Sequence, residues 1–545
     1  SYLEEAQRSG FLNDTLVDEH EGYLFNNATT AEVAYEMILA EQRRHLHRES
    51  AQWYEKNFQD NLPPFYVRLA HHWMEAGNTT KAIKYCKMES TRLFQLGFVE
   101  QALEVGLEGA KWLHYDIPRK PEAIGQKIGE HMAEIGRLLN NRPIQSLIDH
   151  KPMENKETEL LVDLFLYLSP LAHQSHQPEL FALLPIICLR LTLEQGNGPS
   201  AAEVYSMYGI IHKAITGDGA SAFQWSNLAL DVDKSNNNSL RARVGFIHGW
   251  FIGHWFLPIK ELIPMADHSA DAGFDLEDIL YACFNLSLSV VLKSVSGVKL
   301  EEVVLAADTN LKRNNQLVKN AAFHLIHEKQ VARALQGKTK DYTSLSDETI
   351  NEEKDIASIC DSDMYNQIGY YHISKLKLNV HYHHWEKAME WGDRAMPLLK
   401  AFANQPGHVE FEQYYAIATL YAAAQSNGAK ALKLSKIADE KILIMEEWAK
   451  HCKTNFLHKV LLVKAVRTGL SGDTVKANKL FEAAAAQATS AGYLQDCALA
   501  FEHMTIINHM GNLDFEHALE SAIDSYELWG AKAKVTYLTE KFGPQ

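Results

Sequence analysis

Histidine clusters are the feature of this sequence that most directly suggests chemistry, and that chemistry would be metal binding. The densest cluster consists of His372, His381, His383 and His384. Zinc ligands on a helix usually lie about one turn apart, and cysteine ligands come in closely spaced pairs. His383 and His384 are adjacent, so on a helix they would point to different faces, and no cysteine pair accompanies them. We therefore predict that this cluster binds no metal.

A second group, His324, His327 and Glu328, superficially resembles a zinc-protease motif. Its order matches neither HExxH nor HxxEH, the arrangements that place two metal ligands and a catalytic acid together on one helix. We interpret these imidazoles as packing groups on a half-buried helix face. The pair His71–His72 is interpreted in the same way, at a packing position of the first helical repeat.

Motifs for nucleotide binding and for nucleophilic catalysis are missing from the sequence. It contains no GxxxxGK[ST] phosphate loop, no GxGxxG and no GxSxG. Paired carboxylates occur at Glu352–Glu353 and at Asp361 with Asp363, within a polar stretch that begins at Asp341. That stretch suits a long, mobile loop in which the acids face solvent. We therefore predict no catalytic residue, no bound nucleotide and no cofactor in this chain.

Aromatic side chains are concentrated at Trp250, Phe251, Trp255 and Phe256. Their i, i+4 and i, i+5 spacing is typical of a helix that buries its rings in the core. A binding groove is the alternative interpretation.

The overall charge argues against nucleic acid as a partner. Lys and Arg number 53 against 69 Asp and Glu, which gives a net charge of −16. A surface that binds phosphate needs a cationic field, which an acidic chain lacks on average. The densest basic patch fits a solvated helix face or a domain contact; it comprises Arg43, Arg44, His45, His47 and Arg48. The longest apolar stretches, such as Ile279–Leu292, are too short for membrane insertion.

The six cysteines lie far apart, and none forms a CxxC pair. Most sit within apolar helical runs, where a free thiol acts as a small hydrophobic group. No signal-peptide pattern precedes them. We therefore predict a reducing, cytoplasmic location. Because the chain opens without Met directly into a helical pattern, we also expect it to be a fragment of a larger protein.

Helices must position nearly all of these residues. Proline is scarce, at 15 residues, and apolar side chains recur at i, i+3, i+4 and i+7 in window after window. Only one strand pair is plausible, Phe11–Leu12 with Tyr23–Phe25, across a polar loop. The sequence thus predicts an all-α chain with one small β-hairpin near its beginning.

Small residues seven positions apart reveal internal repetition. Gly often lies five positions before the first of them, as Gly217 and Gly472 do. Seven residues span about two helical turns, so both small residues face one neighbouring helix and allow close approach, while the Gly marks a tight turn. We predict a close helix contact on the second helix of a hairpin at the first residue of each of these pairs: Ala222 with Ala229, Ala388 with Ala395, Ala431 with Ala438, and Ala477 with Ala484.

This spacing resembles the tetratricopeptide repeat, although the full 34-residue signature is never complete. Three stretches carry a more specific likeness. The first includes Phe25–Ala28, Val33–Tyr35, Gln42–His47 and Trp53–Glu55. The second runs over Thr192–Leu230 and continues into Arg243–Val244, Phe246, His254–Trp255 and Pro258. The third includes Tyr526, Trp529–Ala531, Ala533–Lys534 and Leu538.

The first stretch resembles the winged-helix end of a STAND-type ATPase module that runs directly into tetratricopeptide-like repeats. Together the three stretches resemble the helical region that follows a predicted ATPase in large signalling proteins. The catalytic ends of those proteins include class III adenylyl cyclases of the soluble type, hybrid histidine kinases and Ser/Thr kinases. Such families often carry a nucleotide-sensing His where this chain has Asn27. Asn cannot take up a proton, so the resemblance leaves open whether Asn27 contacts nucleotide or caps a helix.

The resemblance implies four parts: a winged-helix-like end of an ATPase module over 1–60, a first helical-repeat arm over 61–340, an acidic loop or linker over 341–365, and a second arm over 366–545. It implies a tetratricopeptide-like α-solenoid that acts as a non-catalytic, regulatory protein-interaction scaffold. Its concave face would hold a partner protein or an ATPase or catalytic domain of the same chain. The alternatives are a free-standing adaptor that binds a partner peptide, for which no repeated set of groove cations is evident, and an α-helical enzyme, which only the histidine clusters support.

Overall fold

The computed structural model describes residues 2–17, 20–96, 98–362 and 364–543. Within these residues the chain forms 26 α-helices, several short helical turns and a single two-stranded sheet. The predicted all-α fold of stacked, tetratricopeptide-like helical hairpins is therefore confirmed, as is the predicted β-hairpin. The chain divides into two compact units, the first ending at Val204 and the second beginning at Tyr205.

The first unit begins with one short helix and the hairpin and continues as helices that pack mainly on their neighbours in sequence. Its strands are antiparallel, with Leu12 opposite Phe25. Single short turns lie at Pro63–Phe65 and Ile144–Asp149. Its elements are α1 (Tyr2–Arg8), β1 (Leu12–Val17), β2 (His20–Phe25), α2 (Ala28–Glu36), α3 (Ala40–Asn57), α4 (Tyr66–Glu75), α5 (Thr79–Gln95), α6 (Val99–Trp112), α7 (Pro121–Leu139), α8 (Lys156–Gln174) and α9 (Pro178–Gln195).

The turn between α4 and α5 shows how the sequence specifies a hairpin. α4 buries Leu69, Ala70 and Trp73 on one face, as its amphipathic spacing requires. Gly77 then adopts a left-handed conformation with φ +75°, which costs Gly little. The side chain of Asn78 accepts a hydrogen bond from the Lys81 backbone N–H and so caps α5.

The second unit repeats this plan over a larger number of helices. Its elements are α10 (Ala201–Thr216), within which the unit boundary falls, α11 (Gly219–Ser235), α12 (Arg241–Ile247), α13 (Ile259–Asp275), α14 (Ile279–Val295), α15 (Leu300–Asn314), α16 (Lys319–Leu335), α17 (Tyr365–His381), α18 (Trp385–Ala395), α19 (Leu399–Phe402), α20 (Pro406–Ala424), α21 (Gly428–His451), α22 (Lys453–Leu470), α23 (Thr474–Ala491), α24 (Leu494–Met510), α25 (Glu516–Trp529) and α26 (Lys532–Phe542). Short turns lie at His248–Ile252, Gly253–Trp255, Glu352–Ile356, Ala357–Asp361 and Met396–Leu398.

The small-residue pattern marks helix contacts, with one exception. Ala222, Ala388 and Ala477 are fully buried on α11, α18 and α23, the second helices of their hairpins. Ala431 is only partly buried, so the prediction for it is wrong. It lies in the first turn of α21, and the buried face of that helix begins one turn later and includes Ala438.

Polar side chains of the second unit form hydrogen bonds to backbone groups that are distant in the sequence. Asn455 accepts from the Ile259 N–H at 3.1 Å and donates to the carbonyl of Leu257 at 2.7 Å. Gln495 donates to the Val295 carbonyl at 3.0 Å. These contacts hold α22 and α24 against the segments that flank α13 and α14. The inner helix α20 is buried along nearly its whole length, which matches its apolar residues on every side.

The acidic stretch between α16 and α17 differs from the sequence interpretation at one important position. Glu352 is buried, and its carboxylate accepts hydrogen bonds from Lys375 at 2.7 Å, from the Tyr371 hydroxyl at 2.9 Å and from the Leu345 N–H at 2.7 Å. The prediction that this acid faces solvent is therefore wrong. Asp363 lies outside the described residues.

Candidate interaction surfaces

The four clustered histidines do not converge. His372 lies 3.8 Å from the Cys360 sulfur, and His384 is exposed at the start of α18. His381 is buried between the hydroxyls of Tyr414 and Tyr526, each 3.4 Å away. In the described part of the chain, no three His, Cys, Asp or Glu side chains are arranged to hold a metal ion. The absence of a bound metal or cofactor stays a prediction.

The second histidine group and the aromatic run both belong to the core. The His324 ring packs edge-on against Tyr370, with centroids 4.8 Å apart, and burial lowers its pKa to about 3. Nε2 of His327 forms a hydrogen bond with the Ser374 hydroxyl at 2.7 Å. Trp250 and Trp255 are buried, which confirms core packing over a binding groove. These histidines are also more deeply buried than the predicted half-buried face.

A network of hydrogen bonds centred on Glu502 lies in the interior of the second unit. The carboxylate accepts hydrogen bonds from Lys534 at 2.6 Å, from His383 at 2.5 Å and from the Tyr526 hydroxyl. Burial alone would raise the pKa of Glu502, but the Lys534 ammonium and the His383 hydrogen bond outweigh it and hold the pKa well below its usual range. Lys541 donates a hydrogen bond to Nδ1 of His383 at 2.8 Å, so this nitrogen acts as an acceptor. The other ring nitrogen of His383, Nε2, therefore carries the proton and donates it to Glu502.

A second network joins α20, α22 and α24. Asp496 accepts from Lys459 at 2.6 Å, from His458 at 3.0 Å and from Gln413 at 2.6 Å. Lys459 also donates to Gln413 at 3.0 Å. Buried acids and bases in both networks therefore use one another as partners, which is the arrangement that buried charges require. Sequence analysis did not predict either network.

The two networks change the expectation of an open concave face. In the second unit, the inner side chains of α17, α20 and α24 are buried against other helices of that same unit. The hydrogen bonds and ion pairs of these side chains can fix the geometry of the helix stack. A partner protein, however, would have to displace helices before it could contact these side chains. These inner side chains are therefore not an accessible binding surface, and partner binding on a concave face stays a prediction.

The buried histidines make the stability of the second unit sensitive to acid. Burial lowers the pKa of His248 and His503 to about 4 and that of His383 to about 3, from an ordinary value of 6.5. Between pH 6.5 and 4 these imidazoles bind protons in the unfolded chain but not in the folded chain. The free energy of unfolding therefore falls as the pH drops from 6.5 towards 4. We expect the melting temperature in calorimetry to decline steadily as the pH falls below 6.5. A melting temperature that is unchanged between pH 7 and 4.5 would show that these imidazoles are accessible.

The N-terminal apolar region, defined as the exposed apolar side chains between residues 2 and 53, is the least covered part of the first unit. It holds twelve of the 28 large apolar side chains that are exposed among the described residues, although it spans about a tenth of the chain. Tyr2 is 92% exposed and Met37 is 80% exposed, and neither α1 nor α2 buries any residue. Exposed apolar surface of this density is typical of a protein-binding site.

Polar contacts hold this region to the first repeat. Asn27 caps α2 by accepting from the Thr29 N–H, which is the N-cap alternative left open for this residue. The Tyr35 hydroxyl lies 2.9 Å from Nε2 of His47, and Nδ1 of His47 lies 2.9 Å from Nδ1 of His72. Both distances are those of a hydrogen bond. Of the predicted basic patch, His47 is therefore an internal contact, whereas Arg44, His45 and Arg48 remain exposed on α3.

A groove of about 560 Å³ lies between α5 and α8 in the first unit. Cationic and apolar side chains line it together, and Lys87 spans it to pair with Asp163 at 2.6 Å. Sequence analysis found no repeated groove cations because these come mainly from one helix and not from successive repeats. The lining residues are Pro63, Tyr66, Thr80, Ile83, Lys84, Lys87, Met88, Thr91, Arg92, Gln95, Leu160 and Asp163.

Comparison with known proteins identifies no family for this chain. No protein-family model matches it, and no curated protein matches it. Among solved structures, the crystal structure of yeast Tom70 aligns at 12% identity and a TM-score of 0.19, over 91% of this chain and 100% of that one. A circular tandem repeat protein with novel repeat topology aligns at 12% identity and a TM-score of 0.15, over 90% of this chain and 98% of that one. Scores this low carry no argument, so the fold assignment depends on the helices described above.

Proposed function

We propose that this chain is a non-catalytic, regulatory protein-interaction scaffold within a larger signalling protein, and that its N-terminal apolar region binds a folded domain of that same protein. The concentration of exposed apolar side chains between residues 2 and 53 is the observation that carries this proposal. The closed interior of the second unit supports it, because that unit then serves as a rigid body and not as an open clamp.

The resemblance to signalling proteins supports a more specific proposal. Residues 1–60 would form the end of an ATPase module, followed by repeat arms over 61–340 and 366–545 and the linker over 341–365. The parent would be a soluble-type adenylyl cyclase or a kinase. Five of the six cysteines are buried thiols, which suits a cytoplasmic setting. No helix in the described ranges is both long and apolar enough to cross a membrane.

Replacing Met37 and Leu24 by Glu should weaken binding of this chain to the polypeptide encoded directly upstream of it by at least about tenfold. Each new carboxylate would have to lose its water in an apolar interface without gaining a partner. Binding would be measured by calorimetry on separately expressed parts. The matched control replaces Leu432 and Leu443, which are 74% and 61% exposed on α21, by Glu.

Equal weakening by both pairs of substitutions would contradict the proposal, and so would an upstream coding sequence that lacks a phosphate loop.

A second candidate function is that of a free-standing adaptor that binds a segment of a partner protein. The groove between α5 and α8 is the observation that favours it, because the groove offers apolar side chains and cations together on an otherwise acidic chain.

A further inference from the structure

The face of α5 that lines the groove is a continuous stripe. Its members recur every three or four residues from Thr80 to Gln95, so they share one side of the helix over about four turns, or about 22 Å. The opposite side of α5 is buried against neighbouring helices and includes Ala82 and Cys86. α8 contacts the stripe through Leu160, Asp163 and Tyr167, whose hydroxyl lies 3.0 Å from that of Thr91. Three members of the stripe remain exposed: Thr80, Lys84 and Gln95.

Charge along this stripe is positive although the chain as a whole carries −16. Lys84 is exposed and makes no ion pair with any described residue. Lys87 pairs with Asp163 across the groove, and Arg92 pairs with Glu89 one turn away at 2.7 Å. The Lys87–Asp163 pair is partly exposed and such pairs are weak, so a carboxylate from another molecule can replace Asp163 at small cost. Arg92 stays paired with Glu89, which is buried.

Apolar side chains lie between these cations. Ile83 is buried at the base of the stripe, and Met88 and Leu160 are partly exposed beside it. In a stack of helical hairpins, a face with this mixture is normally covered by another helix. A partner helix laid along α5 would present its own side chains at the same 5.4 Å pitch, with apolar residues towards Met88 and acidic ones towards Lys84 and Lys87.

We propose that the groove between α5 and α8 binds an acidic amphipathic helix of a partner protein. This inference deepens the second candidate function, and its site is separate from the N-terminal apolar region. Glu or Asp side chains one turn apart on the partner pair with Lys84 and Lys87, while a Leu or Met side chain packs between Met88 and Leu160. Asp163 acts against binding, since it repels the incoming acids.

The probe is a fluorescein-labelled, helix-forming peptide of Ala, Leu and Glu with its acids one turn apart, titrated in fluorescence anisotropy. Replacing Lys84 and Lys87 by Glu should weaken binding about tenfold, and Asp163→Asn should strengthen it. A peptide with Lys in place of every Glu should show the reverse preference and bind the doubly substituted chain more tightly than the native one. The control variant replaces Lys430 and Lys433 on α21 by Glu and should bind like the native chain.

Circular dichroism would verify that every variant keeps its helices. A Glu peptide that binds the native and the Lys84→Glu, Lys87→Glu chains equally would overturn the proposal. A peptide interrupted by Pro that binds as tightly as the intact one would also overturn it, because the occupant would then not be a helix. Met37→Glu and Leu24→Glu should leave peptide binding unchanged, so failure at the groove is distinguishable from failure at the N-terminal apolar region.

Discussion

Glu502→Ala will destabilise the second unit by about 3–5 kcal/mol. The substitution leaves the Lys534 ammonium fully buried and without an acid, and it also removes the partner of His383 and of the Tyr526 hydroxyl. Breaking one side of a buried pair is costly because the remaining charge cannot regain its water. Thermal melting followed by circular dichroism measures the loss. Glu447→Ala, which removes an exposed partner of Lys450, is the matched control and should leave melting unchanged.

A double substitution separates the unpaired charge from the lost packing. Glu502→Leu combined with Lys534→Met removes both charges and should recover a large part of the stability that Glu502→Ala loses. If Glu502→Ala melts within a degree of the native chain, the network does not hold the interior together and the closed core described for the second unit is wrong.

Ala477→Leu will destabilise the chain by about 1–3 kcal/mol, whereas Ala431→Leu will change its stability by less than about 0.5 kcal/mol. Ala477 has no exposed surface on α23, so a larger side chain must push α22 and α23 apart. Ala431 lies in the partly exposed first turn of α21 and has room for the same side chain. Because a repeat contacts mainly its neighbours, damage at Ala477 should spread along α22 to α24 and spare the first unit.

Thermal melting gives the size of the effect, and limited proteolysis gives its location. New cleavage sites should appear between α22 and α24 for Ala477→Leu only. Equal melting of the two variants would mean that burial does not distinguish the two alanines and that the interpretation of the seven-residue spacing is wrong.

Features that depend on local periodicity could be predicted from the sequence. The helices follow from the 3.6-residue spacing of apolar residues, and the hairpin near Leu12 and Phe25 follows from one short polar loop between two apolar runs. For Asn27, which precedes a helical pattern, N-capping could be predicted as one of two alternatives. Trp250 and Trp255 were recognisable as core residues because aromatic side chains at helical spacing need a covered face.

Features that depend on distant pairing could not be predicted in the same way. His383 and Glu502 are 119 positions apart, and nothing local to either indicates the other. One signal was present, since Glu502 and His503 interrupt a strongly apolar helix, and a charge at such a position must find a partner. Glu352 was assigned to solvent because its neighbours are polar, yet the helix that follows supplies Lys375 and Tyr371 to bury it.

The groove between α5 and α8 was missed for a related reason. Its cations lie on one helix, whereas the cations of a peptide-binding groove are expected to recur from one hairpin to the next. The spacing of Lys84, Lys87 and Arg92, which are three and then five positions apart on a helical pattern, was visible in the sequence. What could not be seen was that the neighbouring helix leaves part of this stripe exposed.

Hydrogen–deuterium exchange, read by mass spectrometry along the native chain, tests the central claim most directly. That claim is that binding surface lies in the first unit, at the N-terminal apolar region and along α5, while the interior of the second unit is closed. Backbone amides of α17, α20 and α24 should then exchange more slowly than almost any others, and those of α1 and α2 should exchange fastest among the helices. Exchange of α20 as fast as that of α2 would mean that the second unit opens to solvent, and it would contradict the account.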